Sequence, residues 1–289
     1  MASYTPVKLP YYAPAHQLPE ALPSLQEIKA SNKIYPCHWS DRTIARVGEH
    51  FLVKFGDNVD LAEAQNMILV ATSSSMAVPK VYAAYEAVQD VLGIYESKTN
   101  VIVMEFIPGV RLSTVYERFD EQQSLSMIAL LRQQFDALRS IPSPGFYGAL
   151  GRKPLQSLFW TRLVRHRGPF PNHVDFVISV MHTFLRRPID VDRYVGRIRR
   201  QRQRSSASVF THCDIQPRNI IIRDSDGLPV VVDWEFAAWL PPYWELVVMT
   251  NMLEARVESS WVPWMEQLFP EFKAIRGIFD EALRKHAEW

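Results

Sequence analysis

His212-Cys213-Asp214-Ile215-Gln216-Pro217-Arg218-Asn219 is a short polar stretch that runs straight into Ile220-Ile221-Ile222, and a later apolar run, Val230-Val231-Val232, ends on Asp233. Asp214 and Asn219 stand five apart, and Asp233 arrives fourteen residues after Asn219. The two apolar runs flank Asp226-Gly227, a turn-forming pair, so the spacing predicts a hairpin. A carboxylate at the end of three valines is costly to bury unless it is paired or bound to a metal. Transfer of a phosphoryl group from a nucleotide needs a carboxylate to take the acceptor's proton and oxygen ligands to hold magnesium on the triphosphate. Asp214 is the candidate base, and Asn219 and Asp233 are the candidate metal ligands. Glu235 is a further ligand or a structural acceptor. The plain alternative is that Asp214 and Asn219 merely cap turns. It weakens because Asp233 follows on the far strand.

Upstream, Ile44 to Val47 and Phe51 to Phe55 read as strands joined at Gly48-Glu49-His50. Asp60 opens a helix with Glu63 in capping-box spacing, and Leu61, Ala64, Ile68 and Ala71 give it an apolar stripe. Val78 to Tyr82 begins another strand. Leu92 to Tyr95 and Val101 to Phe106 read as a hairpin around a polar turn at 96–100. This order suggests a small antiparallel sheet with one helix packed on it. Lys54 lies mid-strand, where a lysine is most often just solvent-facing. The functional alternative aims its ammonium at nucleotide phosphates, with Glu63 holding it. Alone each residue favours the plain reading; beside the downstream trio the functional pair is preferred. Only Gly48 stands where a glycine-rich phosphate loop would be. Glu105 to Gly109 joins the two halves, and its backbone at Glu105 and Ile107 is the candidate contact for an adenine edge.

Beyond Pro108 the pattern turns helical. Ile128, Leu131, Phe135 and Leu138 mark a core helix that ends before Pro142, and 176–185 reads as another. Val191, Tyr194, Val195 and Ile198 form one face, opposite Arg193, Arg197, Arg200 and Arg204. Eight arginines between Arg186 and Arg204 suggest nucleic acid at first sight, but they lie largely opposite an apolar stripe and lack interleaved aromatics, so a solvated helix face is preferred. The remainder, 243–289, reads as helical.

The chain has 289 residues, 47% hydrophobic and 22% charged, with a net charge of +1, so nothing points to a polyanionic partner. Its two cysteines, Cys37 and Cys213, argue against a disulfide framework and fit a reducing, cytoplasmic setting. Cys213 has no evident activating base, and zinc lacks a ligand-spaced cluster. No apolar run approaches the roughly 20 residues that span a bilayer. Residues 1–34 are expected to form an extended arm with little regular structure. A nucleotide-binding lobe at 35–107 and a catalytic and acceptor-binding lobe at 108–289 follow. Oligomeric state is left open.

These motifs together resemble the aminoglycoside phosphotransferase and choline kinase family, in particular a branch common in fungi. The residues that carry the resemblance are His212 to Asn219, Val232-Asp233-Trp234-Glu235-Phe236-Ala237, Pro242-Tyr243-Trp244-Glu245, Val53-Lys54-Phe55-Gly56, the Glu63 helix, Val78-Pro79-Lys80-Val81 and Met104 to Gly109. It spans about Ile44 to Glu245. It implies an α+β, bilobal, protein-kinase-like fold that binds ATP and Mg2+ and phosphorylates a small alcohol or amine. Asp214 would be the base, Asn219 and Asp233 the magnesium ligands, Lys54 the phosphate contact, Glu63 its orienting partner and His212 a support for the loop. Cys213 stands where the family usually has glycine, and Gln216 where histidine or lysine is common. The acceptor is expected against the aromatic stretches 159–176 and 239–243. A kinase-like scaffold that binds a nucleotide or metabolite without phosphoryl transfer is the alternative, and a nucleic-acid binder using the arginine face ranks far below both.

Overall fold

The structure, a computed structural model of the 289-residue chain, describes residues 2–32, 34–35, 42–91, 95–156, 167–185, 187–201, 207–252 and 259–287. Cys37 and Arg204 lie outside them.

The first half is built on a hairpin. Strands β3 (Thr43–Val47) and β4 (Phe51–Gly56) turn at Gly48, whose φ of +64° suits a residue without Cβ. Helix α2 (Ala62–Ser73) packs Ala64, Met67 and Val70 into the core beneath the sheet. Its first turn departs from the expected capping box. Asp60 Oδ1 accepts from the Ala62 N–H at 2.8 Å, while the Glu63 carboxylate is engaged elsewhere. Strands β5 (Val81–Val91) and β6 (Tyr95–Glu105) form one long hairpin. The polar residues 96–100, expected as a turn, are strand instead, and 92–94 lie outside the described residues. Period-2 alternation is a weak signal here because strand positions on the ribbon, such as Glu86, Val88 and Lys98, are exposed. There a diagonal Lys98–Glu86 ion pair at 2.8 Å joins the strands across exposed positions.

The sheet runs β1-β5-β6-β4-β3-β2, antiparallel throughout, with β1 at Tyr11–Tyr12 and β2 at Ile34–Tyr35. The N-terminal arm is therefore more ordered than its prolines suggest. Tyr11 and Tyr12 pair with Ala84 and Ala83 on the edge of β5, and α1 (Leu25–Ala30) starts with a complete Ser24–Glu27 capping box. Ile28 on α1 is buried against Phe51, Val53 and Val103. Nothing local dictates β1, because its hydrogen bonds come from a strand seventy residues away. The same arm reaches the second half: Tyr4 stacks on Trp239 with ring centroids 5.2 Å apart, and the Val7 carbonyl accepts from Gln65 Nε2 on α2 at 2.7 Å.

Past the connector, β7 (Gly109–Arg111) adds to the hairpin of β10 (Ile220–Arg223) and β11 (Pro229–Val231). A Cβ on Gly109 would stand 2.2 Å from the Ile222 carbonyl oxygen, so the approach of these backbones requires glycine. A second small sheet pairs β8 (Gly148–Ala149), β12 (Ala238–Leu240) and β9 (Val209–Thr211). Helices α3 (Glu121–Arg139), α4 (His173–Phe184), α5 (Pro188–Gln201), α6 (Trp244–Val247), α7 (Val262–Leu268) and α8 (Lys273–Ala287) surround them. On α5, Val191, Tyr194, Val195 and Ile198 are buried, Arg193 and Arg200 are exposed, and Arg197 bonds Glu281 at 2.6 Å. One apolar cluster runs from α2 and β5 through α3 to α8, with Trp234, Trp239, Trp244 and Trp261 fully buried. Each such side chain contributes on the order of 1.5–3 kcal/mol. Among the described residues no helix is long and apolar enough to cross a membrane.

Candidate active site

Strand β9 delivers His212 to Gln216 into the interior, and a 3-10 turn at Pro217–Asn219 leads out to β10. A buried polar loop must satisfy its own backbone. Glu245, on α6, takes the His212 N–H on Oε1 at 2.5 Å and the Cys213 N–H on Oε2 at 3.1 Å. Burial pushes Glu245 up to about 7, against the pull of these donors and of Arg139. In the sequence Glu245 stands out only as the last residue of Pro242-Tyr243-Trp244-Glu245. Its signal was a lone carboxylate in the apolar run Tyr243 to Met249. Further support comes from Trp261 Nε1, which donates to the Ile215 carbonyl at 2.8 Å.

His212 joins the loop to the segment that follows β11. Its Nδ1 accepts the Asp214 N–H at 3.2 Å, so the proton sits on Nε2, which donates to the Val232 carbonyl at 3.0 Å. Burial drives its pKa down to about 4, so the ring is neutral. Cys213 is buried and its thiol is pushed far up by burial, so it is no nucleophile. Its φ is +72°, the left-handed region that glycine occupies without strain. The departure from the family's glycine therefore keeps a glycine-like backbone.

Asp214 is 4% exposed. Its Oδ1 accepts from Gln216 Nε2 at 2.6 Å and its Oδ2 from Asn219 Nδ2 at 2.9 Å, with an Arg218 guanidinium nitrogen 3.5 Å from Oδ2. Burial raises its pKa above the ordinary carboxylate value, and Arg218 restrains the rise. That direction suits a proton acceptor working near neutral pH.

Lys54, on β4, is 5% exposed, and its Nζ lies 2.6 Å from Glu63 Oε1 and 2.8 Å from Asp233 Oδ1. Burial works against its charge, but the two carboxylates outweigh burial and raise its pKa. Burial likewise opposes the Asp233 charge, and Lys54 overcomes it to hold the group down at about 2. Asp233 has a φ of +70°, and the neighbouring Val232 N–H donates to the Asn219 carbonyl at 2.9 Å. Asn219 Nδ2 is committed to Asp214 and Asp233 Oδ1 to Lys54, so the oxygens that could hold an ion are Asn219 Oδ1 and Asp233 Oδ2. Two such oxygens suit magnesium, which takes one or two protein ligands and fills its shell with phosphate and water. Among the described residues no three His, Cys, Asp or Glu side chains form a metal site by themselves. Glu235 is held by Arg42 at 2.5 Å, and burial pushes it up to about 7. Of its two expected roles, the structural one has this partner.

At the connector, Glu105 N–H donates to the Lys80 carbonyl at 2.8 Å. Ile107 is buried, and among the described residues no group accepts from its N–H. The structure thus brings Lys54, Glu63 and Asp233 into contact, and Asp214 with Asn219, while Glu105 and Ile107 stay on the connecting strand end. The expected acceptor lining is corrected. Phe170, Phe176, Trp239 and Tyr243 are core residues at 4% exposure or less, and 159–166 lie outside the described residues. Aromatic runs near a motif look alike in sequence whether they face a pocket or a core.

A profile of the phosphotransferase enzyme family matches residues 35–286. A thermostable mutant of aminoglycoside phosphotransferase APH(4)-Ia in its apo form is similar in structure, at 14% identity, 88% of this chain, 86% of that chain and a TM-score of 0.51. Another mutant of that protein, in a ternary complex with AMP-PNP and hygromycin B, is similar at 12% identity, 92% of this chain, 97% of that chain and a TM-score of 0.51. At these identities the likeness is one of fold, bilobal and protein-kinase-like. No curated protein matches the chain.

Proposed function

The chain belongs to the phosphotransferase enzyme family, and from that premise we propose that it transfers the γ-phosphoryl group of ATP to a hydroxyl or amine of a small metabolite. Residues 35–107 would hold the nucleotide and 108–289 the base and the acceptor. The adenine edge would meet the connector, at the Glu105 carbonyl and the Ile107 N–H. Lys54 would contact phosphate oxygens, kept aimed by Glu63, and Asn219 and Asp233 would hold Mg2+. That ion would neutralise charge on the β- and γ-phosphates. Asp214 receives the acceptor's proton as the new bond to phosphorus forms and the bond to the β-phosphate oxygen breaks, leaving ADP. His212 keeps the loop in register and takes no proton, and a cytoplasmic setting fits the buried free thiol at Cys213.

The observation that carries this reading is the contact of Lys54, from the sheet, with Asp233, from the segment after β11, at 2.8 Å. A solvent-facing strand lysine would make no such pair. The test is an untargeted metabolite screen for ADP release and product phosphorylation with Mg-ATP. Phosphorylation of a small acceptor, lost in Asp214→Asn, is the expected result. Mg-ATP binding with no acceptor consumed across a broad panel would overturn it.

A further inference from the structure

In-line transfer places the γ-phosphoryl one bond from the acceptor oxygen, and that oxygen must sit on Asp214 to give up its proton. Whatever stands beside Asp214 is therefore within reach of the equatorial phosphoryl oxygens, where charge accumulates. Lys54 is already shared between Glu63 and Asp233. The cation whose charge acts directly on Asp214 is Arg218.

Its placement is built. Gln216 is 2% exposed and spans two groups: its Nε2 donates to Asp214 Oδ1 at 2.6 Å, and its Oε1 accepts from Arg218 Nη1. The guanidinium is thereby fixed over the base while its side chain stays 46% exposed. The remaining Arg218–Asp214 separation, 3.5 Å, is too long for a good hydrogen bond, so the other guanidinium donors are not spent on the carboxylate. A half-exposed ion pair of that length stabilises a fold little. A planar fork with spare donors is well suited to phosphoryl oxygens.

We propose that Arg218 is a catalytic residue that grips the γ-phosphoryl group, and that Gln216 is the positioning residue that aims it. This rests on the phosphotransferase reading above. The neutral amide at position 216 and the cation at 218 work as a pair: a positive side chain at 216 would repel the guanidinium rather than anchor it.

The test needs no acceptor. Full-length protein with Mg2+ is titrated calorimetrically with AMP-PNP, which carries the γ-phosphoryl, and with ADP, which lacks it. Arg218→Ala should weaken AMP-PNP by about tenfold or more while ADP binding stays within about twofold. Gln216→Ala should give a smaller loss of the same γ-selective kind. Adding Gln216→Lys to Arg218→Ala should restore much of the preference by moving the charge two residues back. If Arg218→Ala lowers both affinities together, or neither, the assignment is overturned while the phosphotransferase reading stands. If the wild-type protein binds neither nucleotide, the broader reading fails and takes this one with it.

Discussion

Two charged clusters make up this site, and they are built in opposite ways. Asp214, Gln216, Arg218 and Asn219 come from one six-residue stretch and satisfy one another locally. Lys54, Glu63 and Asp233 come from a strand, a helix and the segment after β11, with Lys54 and Asp233 179 positions apart. The local cluster is half open to solvent at Arg218, whereas the Lys54 side chain is 6% exposed. Changes in the first should therefore read out mainly in chemistry, and changes in the second mainly in the integrity of the fold.

Asp214→Asn breaks the comparison hardest if it is wrong. Loss of the proton acceptor should cut turnover by about 10²–10⁴-fold. Mg-ATP affinity should survive, and the melting temperature should fall modestly, since one amide oxygen cannot accept from both Gln216 Nε2 and Asn219 Nδ2 as the carboxylate does. Steady-state kinetics beside thermal unfolding checks both halves. An unaffected rate would remove Asp214 from its role.

Lys54→Met should show the reverse signature. It strands the Glu63 and Asp233 carboxylates with no cation between them. Removing one partner of a buried pair costs about 3–5 kcal/mol. Urea unfolding should record the loss even without nucleotide. A midpoint unchanged from wild type would mean the cluster is wetter and weaker than its distances imply.

How far each cluster could be read beforehand follows from the same contrast. His212 to Asn219 was legible because its chemistry needs residues close in sequence, and Asp233 because three valines made its charge expensive. The two faces of α5 followed from helical period. Lys54 with Glu63 could only be inferred, since strand and helix meet in space and not in sequence. The arm expected over 1–34 carries more regular structure than its prolines suggest for a related reason: β1 borrows its hydrogen bonds from β5, and Tyr4 finds its partner at Trp239. The β5–β6 turn was misplaced because polar residues on an exposed ribbon imitate a loop. Glu245 was quoted without a role, since nothing local shows that its carboxylate faces the amides of residues 212 and 213.

Glu245→Gln sharpens the comparison from the other side, because it touches the local cluster through a tertiary partner. A carboxyl group, even protonated, keeps an acceptor on each oxygen, whereas the amide NH2 of glutamine accepts nothing, so the variant should lose about 1–3 kcal/mol. The pH dependence has a definite sign. Burial raises the folded pKa to about 7 from an ordinary value near 4.5, so the native state holds the extra proton between those values. This residue's contribution to wild-type stability therefore falls as pH rises through that window. The glutamine variant lacks that fall, so its deficit should be largest at the acid end and shrink toward pH 7. Denaturant titrations at several pH values across the window measure it, and a deficit growing with pH would contradict the assignment.

The smallest effect separates backbone from side chain inside the local cluster. Cys213→Gly relieves a left-handed residue of about 1–2 kcal/mol but returns about 0.5–1 kcal/mol as lost backbone entropy, and it deletes a buried thiol. The net should lie within about 1 kcal/mol of wild type. Cys213→Val keeps a buried apolar group of similar size but puts a β-branched side chain at φ +72°, where it is a steric outlier. If backbone conformation governs position 213, valine should be clearly worse than glycine in melting temperature and should also disturb turnover, because Asp214 hangs on the next peptide. If packing of the thiol governs it, the order reverses.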